Sequence, residues 1–566
     1  MRYLQEWASD PDTDVPGWLA SGAPIGVAAP FSCRGIFPKA ADAGEAVEEC
    51  ELLGGFGEAP NYKSAEEAHE AVRAELEREE AEGYITGYPS RQDAEIAAGG
   101  PIVQNKLAAV EKKSSGKMRI IVDARRCGAN ALASAPERIE LPGARDVVEG
   151  VTALQRSCGV GESVSLVVLD FADAFRTVRL LQEERRFTGF THDGRWYLYD
   201  SLPMGTKGSP LAWCRVAAFF GRAAAATLGD DGDVFTYVDD PLIAVKGSAG
   251  DRGAHTLRVL LLWSILGANL AWAKGQAGSC VTWIGAHITC AEGSVGVALP
   301  LETTDRWARD VGAVRLAGRA DARTVRVLAG RGAWAAGLVP ELRPFLDCLW
   351  AALAGGSGGR VPLRRIDHAL RWLEAFLRSI APGGGLARIY LAHPGPPMGA
   401  LTVVTDASPW GLGAVMYYGG KPLAYVSDTI TKEDEKRFAT RAGRCSDQAL
   451  WECLAILVGV IAFTPLVGGG GGQPPRELRV RTDSAAAEGA LRKLRSPDGR
   501  VNAVARELAL WQAVGQLRIS YEHLPGADNG CADALSRGSV PDDLADARRL
   551  PAPQRSGDFW MTVRRP

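Results

Sequence analysis

Apolar residues in the middle of the chain fall into short runs that predict β-strands. Runs at 118–122, 164–169 and 234–238 are bounded by turn-forming residues, and stretches with helical apolar spacing separate them. This alternation of strands and helices predicts a mixed α/β body over residues 101–300.

The first 100 residues show a different pattern. Their opening 60 residues are rich in glycine, proline and acids without periodicity, which favours irregular structure. The segment SAEEAHEAVRAELEREEAE at 64–82 then predicts a helix, because Ser64 and Glu67 have the spacing of a capping box and Gly83 follows the last turn.

A helical connector rich in Leu, Trp and Arg is predicted over 301–380, and glycine-rich breaks at 355–359 and 383–385 indicate a flexible joint. A compact series of elements follows it. The series comprises a strand ending in Asp406, strands at 412–418 and 421–427, a helix at 446–463, a glycine-rich loop at 468–472, a strand ending in Asp483, two helices and a last strand at 517–522. This order predicts a second α/β domain.

The 566-residue chain is too long for one hydrophobic core, so several domains are expected. The predicted division is an acidic N-terminal extension (1–100), the α/β body (101–300), the helical connector (301–385), the second α/β domain (386–540) and a tail (541–566). No apolar run approaches the roughly 20 residues that cross a bilayer, and the first residues are acidic. We therefore expect an intracellular protein, cytoplasmic or nuclear, without a membrane partner.

Charge is distributed unevenly along the chain. The net charge is −3, but the first 100 residues hold 7 Lys+Arg against 20 Asp+Glu, which leaves 57 against 47 for the rest. The chain beyond residue 100 is therefore net basic and suited to a polyanionic partner. The 11 cysteines show no zinc-ligand spacing and no disulfide framework.

A first set of carboxylates lies at predicted strand ends. Asp170 closes the apolar run of SLVVLDFADAF, and Asp239 and Asp240 lie at the tip of the predicted hairpin FTYVDDPLIAV. Three carboxylates so placed could hold two Mg²⁺ for phosphoryl transfer. Paired aspartates in a turn are ordinarily solvated turn residues, but KKSSGKMRIIVDARR, DFADAF, LPMGTKGSPLAW, YVDD, LGANLAWAKG and VTWIGAHI occur in an order that argues against chance.

Over 101–300 these segments resemble the reverse transcriptases of retroviruses and LTR-type retroelements, which have a right-hand fold of fingers, palm and thumb. The resemblance implies that Asp170, Asp239 and Asp240 bind the metals. It also implies that Asp173 and Phe175 pack the sugar of the incoming nucleotide, with the Phe175 ring excluding a 2′-hydroxyl. An ordinary core aromatic is the alternative for Phe175.

The same resemblance implies further substrate contacts. Lys112, Lys113 and Arg119 match finger residues that bind the triphosphate, with a solvated basic loop as the alternative. Met204 and Gly205 match the loop beneath the nascent base pair, although the commoner pattern has Gln at the Met204 position. Lys274, for which a surface lysine is the alternative, matches a lysine near the triphosphate.

A second set of carboxylates comprises Asp406, Glu452, Asp483 and Asp533. Singly, each has a structural interpretation as a helix cap or exposed charge; together they are the ligand set of a two-metal nuclease. Over 401–540 the order of elements and the segment HLPGADNGCADALSR resemble ribonuclease H. The resemblance implies that these four residues bind metals and that Asn529 contacts substrate.

The sequence therefore predicts an α/β (α+β) multidomain protein with a fingers-palm-thumb polymerase and a ribonuclease H-like domain. The implied protein is the polymerase part of a retrotransposon, LTR-type (gypsy-like) or DIRS-like. It would use two Mg²⁺ per active site, with Mn²⁺ as an alternative, and would act on an RNA template, a DNA primer, dNTPs and an RNA:DNA hybrid. An inactive or domesticated nucleic-acid-binding relic is the alternative, and the oligomeric state stays open.

Overall fold

The computed structural model describes residues 1–40, 60–111, 118–354, 359–380, 387–392, 401–467, 476–514, 517–556 and 560. The chain divides into two compact units. The first unit contains Met1–Ile284 and Ile288–Gly293, and the second contains Gly285–His287 and Ser294–Pro566. Both mix helices and strands, in agreement with the predicted α/β class.

The elements of the first unit follow the predicted alternation. Its helices are Arg2–Trp7, Val15–Ser21, Lys63–Glu67, His69–Ala81, Arg91–Ala98, Ala129–Leu132, Ala144–Arg156, Ser209–Leu228 and Ala249–Ile265. Its strands are Ile85–Tyr88, Lys106–Glu111, Met118–Asp123, Ser163–Val168, Phe190–His192, Arg195–Tyr199, Gly232–Tyr237, Asp240–Gly247, Gln276–Gly278 and Cys280–Trp283, and Ala286–Ala291 lies at the boundary between the units.

The main sheet of the first unit is built around a strand that we call the central strand, Ser163–Val168. It pairs antiparallel with Asp240–Gly247, which forms a hairpin with Gly232–Tyr237, and on its other side with Gln276–Gly278. The central strand is apolar because most of its residues are buried in the sheet. This topology brings the end of the central strand beside the turn of the hairpin.

The N-terminal 100 residues contribute to the core of the first unit. Val15, Ile25, Val72 and Leu76 are buried in the same cluster as Phe187 of the body. The predicted helix over 64–82 is interrupted, since the structure has Lys63–Glu67 and His69–Ala81.

The predicted capping box at the start of that helix is wrong. The helix begins at Lys63, with Tyr62 as the N-cap residue and no side-chain cap. The Ser64 hydroxyl instead accepts a hydrogen bond from the amide of Ala109, at 3.3 Å. A contact with a distant strand therefore replaces the local cap.

The second unit consists of the connector helices and a six-stranded sheet. Its helices are Leu301–Leu316, Ala322–Leu338, Arg343–Ala354, Asp367–Ile380, Lys432–Phe438, Gln448–Val467, Ala485–Lys493, Gly499–Val514 and Gly530–Ser536. Its strands are Ser294–Ala298, Ala320–Asp321, Arg360–Val361, Ala387–Leu391, Thr402–Ala407, Gly411–Tyr418, Lys421–Thr429, Arg476–Thr482, Leu517–His523 and Arg548–Arg549. Of the predicted glycine-rich breaks and loop, 355–358, 383–385 and 468–472 lie outside the described residues.

The sheet of the second unit has a mixed topology. Thr402–Ala407 pairs antiparallel with Gly411–Tyr418 and parallel with Arg476–Thr482, which pairs parallel with Leu517–His523. The carboxyl ends of three parallel strands therefore lie at one edge. Polar residues that follow such strands meet at that edge.

The helix Gln448–Val467 packs against this sheet and is the most apolar helix of the unit. The segment Cys445–Val467 is long and apolar enough to cross a membrane, which overturns the expectation that no run approaches that length. In the structure 78% of an 18-residue apolar stretch of this segment is buried, as in a core helix. Its apolar character is therefore explained by packing on the sheet.

Candidate active sites

Asp170, Asp239 and Asp240 lie at one end of the main sheet of the first unit. The amide of Phe171 donates a hydrogen bond to the carbonyl of Asp239 at 2.7 Å, and the amide of Leu169 donates to the carbonyl of Pro241 at 3.0 Å. Backbone bonds on both sides of Asp170 thus fix it beside the aspartate pair. The structure brings together the three residues that the sequence predicted.

Two buried tryptophans hold the turn that carries Asp239 and Asp240. The Trp213 indole donates to the carbonyl of Val238 and the Trp283 indole to the carbonyl of Asp240, each at 2.9 Å. Val238 has a φ of 55°, which β-branched residues rarely adopt. These bonds stabilise a turn that local preference would disfavour.

Nearby cations offset only part of the negative charge of the three carboxylates. Burial, followed by the charges of Asp239 and Asp170, raises the pKa of Asp240 to about 6. Burial also raises the pKa of Asp239, and the nearby charge of Arg119 opposes this rise. Lys274 pairs with Asp170, with its Nζ atom 2.5 Å from a carboxylate oxygen.

The structure gives positions for two of the predicted cations, Arg119 and Lys274. Arg119 opposes the raised pKa of Asp239, and Lys274 pairs with Asp170. Lys112 and Lys113 lie outside the described residues. Among the described residues, Asp170, Asp239 and Asp240 do not offer three oxygens that all lie within 4.8 Å of one another. The donor set nevertheless fits divalent cations, because hard carboxylate oxygens carry excess negative charge there.

Phe175 lies in the short 3₁₀ turn Ala174–Thr177, which begins within DFADAF, and Asp173 is the residue just before it. Asp173 is exposed with a φ of 50°, and Phe175 is half-buried with its ring centroid 6.4 Å from that of Trp213. Part of the residue remains accessible, although Phe175 also packs against the core of the first unit. Its proposed contact with a nucleotide sugar stays a prediction.

The loop with Met204 and Gly205 is fixed to a neighbouring strand. The amide of Val122 donates to the carbonyl of Met204 at 3.1 Å, and Gly205 has a φ of 117°. A Cβ atom at Gly205 would lie 1.8 Å from the Val122 carbonyl oxygen. Only glycine therefore permits this close approach.

The second carboxylate set lies at the edge of the other sheet. Asp406 lies in the strand Thr402–Ala407, and Glu452 lies in the helix Gln448–Val467. Asp483 directly follows the strand Arg476–Thr482. Each offers an oxygen within 4.8 Å of the others. Three of the four predicted carboxylates, separated by 46 and 31 positions along the chain, therefore form one cluster.

Burial dominates the electrostatics of this cluster. Burial and the charges of Asp406 and Asp483 raise the pKa of Glu452 to about 8, and burial is also the main cause that raises the pKa of Asp406 to about 6. Asp406 Oδ2 and Glu452 Oε2 are buried without a hydrogen-bond partner. Unsatisfied buried carboxylate oxygens fit a divalent cation that would accept them as ligands.

Asp533 and Asn529 approach the cluster from the last helix and the turn before it. The charge of Asp533 contributes to the raised pKa of Asp406, while the Asp533 carboxylate pairs with Arg537 at 2.8 Å. Asn529 is 1% exposed, and its amide donates to Asp406 Oδ1 at 3.2 Å. Asn529 therefore orients a carboxylate in this structure, and its contact with substrate stays a prediction.

Sequence reasoning did not find two further residues at this site. Gln448 donates to Glu452 Oε1 at 2.8 Å, and Arg537 pairs with Asp533. Each is four residues from its carboxylate; Gln448 begins the helix of Glu452, and Arg537 is the C-cap residue of the helix that carries Asp533. That spacing is the available signal, because residues i and i+4 lie on one helical face.

Residues 110–288 match the family described as reverse transcriptase (RNA-dependent DNA polymerase). Asp170, Asp239 and Asp240 all lie in the matched range, and the chain therefore contains a reverse-transcriptase domain.

The chain is also similar to solved structures of a foamy viral protease-reverse transcriptase. The form named dRH, in complex with double-stranded DNA, is 17% identical with a TM-score of 0.44, and 84% of this chain and 74% of that chain are covered. A complex with an RNA/DNA hybrid is 15% identical with a TM-score of 0.41, covering 83% and 56%. A further complex with double-stranded DNA is 16% identical with a TM-score of 0.43, covering 87% and 89%.

Proposed function

We propose that the protein copies RNA into DNA and degrades the RNA strand of the resulting hybrid. The observation that carries the proposal is the position of Asp170. Within the reverse-transcriptase domain, its flanking amides are hydrogen-bonded to the carbonyls of Asp239 and Pro241. This places three carboxylates at the end of one sheet, which is the ligand type that two-metal phosphoryl transfer requires.

Asp170, Asp239 and Asp240 would hold two Mg²⁺ or Mn²⁺ ions, which activate the primer 3′-hydroxyl and stabilise the triphosphate when bound. Arg119 and Lys274 place positive charge at the same aspartates and would orient the phosphates of the incoming dNTP. The exposed part of the Phe175 ring would exclude the 2′-hydroxyl of a ribonucleotide.

Asp406, Glu452, Asp483 and Asp533 would hold the metals of a ribonuclease H site, where water is the nucleophile. The support is the close group of two buried carboxylates and the half-buried Asp483, with two unsatisfied oxygens, together with Asp533 on the last helix. The side chains of Gln448 and Asn529 would keep Glu452 and Asp406 in the orientation that binding requires.

The proposed partners are an RNA template, a DNA primer, dNTPs and an RNA:DNA hybrid. The order of a polymerase domain followed by a nuclease domain supports an LTR-type or DIRS-like retrotransposon as the source of the chain. Recognition of the hybrid would depend on its shape and on RNA 2′-hydroxyls rather than on base sequence.

The nuclease half is tested by incubating the full chain with an RNA:DNA hybrid whose RNA strand is labelled. We expect Mg²⁺-dependent cleavage of the RNA, none of duplex DNA, and loss of cleavage in excess chelator. Asp483→Asn should lower the rate by several orders of magnitude, whereas the control Glu488→Gln on the following helix should not. A folded wild-type chain that leaves the hybrid intact with Mg²⁺ and with Mn²⁺ would contradict the nuclease proposal.

A further inference from the structure

A cluster outside both carboxylate sets lies in the first unit. His69, His192 and Asp193 line a cavity of about 610 Å³, together with Gln104 and Thr191. His69 begins the helix His69–Ala81, and the other two residues lie at the turn between the strands Phe190–His192 and Arg195–Tyr199. The cluster therefore joins the acidic N-terminal region to a hairpin of the body.

The ligand atoms of the cluster lie close together. One atom each from His69, His192 and Asp193 lies within 4.8 Å of the other two. His69 Nε2 is hydrogen-bonded to Asp193 Oδ1, and His192 Nε2 lies 3.6 Å from Asp193 Oδ2. The two imidazole nitrogens thus face one carboxylate from separate elements.

His192 supplies a second, independent observation. Its side chain is buried, with the residue only 7% exposed, and its Nε2 atom has no hydrogen-bond partner. Gln104 Oε1, in the same cavity, is also buried without a partner. A buried polar atom without a partner is destabilising, and a bound ligand would remove that cost for His192.

The surroundings hold the carboxylate in place. Arg73 Nε donates to Asp193 Oδ2 at 3.0 Å, which leaves Oδ1 directed at His69. Asp193 has a φ of 51° and Gly194 a φ of 74°, as expected for an Asp-Gly hairpin turn. Outer-shell donors of this kind commonly orient ligating side chains.

We propose that His69, His192 and Asp193 bind a Zn²⁺ ion, with a fourth coordination position open to the cavity. Two imidazole nitrogens and one carboxylate are a common ligand set for zinc. Mg²⁺ and Ca²⁺ are poorer candidates because they prefer oxygen ligands. The bound ion would link the helix His69–Ala81 to the hairpin.

The zinc site is not visible in the sequence because His69 is 124 residues from Asp193, although His192 is next to Asp193. Short-range zinc motifs, with ligands a few residues apart, are absent from the sequence. The inference does not depend on the polymerase or nuclease proposals, because none of their residues is a ligand here.

The test uses the full chain, stripped with chelator and returned to buffer with excess Mg²⁺ so that the carboxylate sites are occupied. Zn²⁺ is added, unbound metal is removed, and bound zinc is measured by mass spectrometry. Wild type should retain one more Zn²⁺ per chain than His192→Gln or His69→Gln. The control His255→Gln, which replaces another buried histidine, should retain the wild-type amount.

Co²⁺ provides a readout of the ligand geometry. The Co²⁺-loaded wild type should show the intense visible absorption of a four-coordinate ion, and His69→Gln should lose it. Because His69 is half-exposed, this variant should fold even if His192→Gln does not. Equal zinc content in wild type and folded His69→Gln, or no difference in their Co²⁺ spectra, would overturn the proposal.

Discussion

At the scale of single residues, each set of carboxylates contains a buried acid whose burial opposes ionisation. The pKa of Asp240 is raised to about 6 and that of Glu452 to about 8, in each case mainly by burial. Other buried acids are stabilised by groups of the chain itself: Asp12 pairs with Arg215 at 2.5 Å, and Glu184 accepts backbone amides. The raised pKa values of Asp240 and Glu452 support the proposal that divalent cations bind at the two sites.

The half-buried ring of Phe175 leads to a prediction about nucleotide selectivity. Phe175→Ala should reduce the preference for dNTPs over rNTPs by about tenfold or more, because the space for a 2′-hydroxyl would open. Single-nucleotide incorporation kinetics with matched dNTP and rNTP measure this ratio. Phe175→Tyr keeps the ring and should keep the preference; an unchanged ratio in Phe175→Ala would show that the ring is not the gate.

Glu452→Gln separates catalysis from folding in the second unit. Glutamine has nearly the shape of the protonated acid, and burial favours that neutral form. Hybrid cleavage should fall by several orders of magnitude while the melting temperature in chelator stays within a few degrees of wild type. A large loss of stability would instead indicate that Glu452 has a structural role.

At the scale of elements, the N-terminal segment is attached to the body by carboxylates that accept backbone amides. Glu184 accepts hydrogen bonds from the amides of Ile25, Gly26, Val27, Ala28 and Ala29 at 3.0 to 3.3 Å. Glu137 accepts from three amides at Arg34, Gly35 and Ile36. An irregular segment thereby satisfies its backbone groups without a helix or a strand.

Removing one of these acceptors should loosen the N-terminal segment. Glu184→Ala leaves five amides without their acceptor and should destabilise the first unit by at least about 2 kcal/mol. Thermal unfolding and limited proteolysis of residues 1–40 measure the effect. Glu183→Ala, at the exposed neighbouring position, should behave as wild type; equal protease resistance of both variants would contradict this account.

The elements predicted from apolar pattern agree well with the structure. The strand predicted over 118–122 is Met118–Asp123, and the helix predicted over 446–463 is Gln448–Val467. The contacts of Glu184 were not predictable, because its partners are more than 150 residues away in the chain. The break at Ala68 was also missed, since local helical propensity does not report a contact such as that of Ser64 with Ala109.

At the scale of the whole molecule, each carboxylate set is contained in a different compact unit. Motif order, strand ends and the family resemblance predict which carboxylates meet, and the structure brings Asp406, Glu452 and Asp483 within 4.8 Å of one another. The metal-binding role of both sets stays a prediction. It did not reveal the cluster of His69, His192 and Asp193, which forms only when the N-terminal helix packs on the hairpin. Polar clusters assembled from distant segments carry no local signature.

The division into two units predicts that the two activities can be inactivated separately. Asp240→Asn should abolish DNA synthesis while hybrid cleavage persists, and Asp483→Asn should have the opposite effect. Both assays use the full chain, with circular dichroism to confirm folding. Loss of both activities in either folded variant would contradict separate active centres.

The central claim is that Asp170, Asp239 and Asp240 form the site of RNA-directed DNA synthesis. The most direct measurement is extension of a labelled DNA primer on an RNA template with Mg²⁺ and dNTPs. It compares wild type with Asp239→Asn and with the control Asp230→Asn, whose exposed aspartate lies just before the first strand of the hairpin that carries Asp239. We expect template-directed extension by wild type and Asp230→Asn and none by Asp239→Asn. A folded wild-type chain that does not extend the primer, or an Asp239→Asn variant that extends it at the wild-type rate, would contradict the claim.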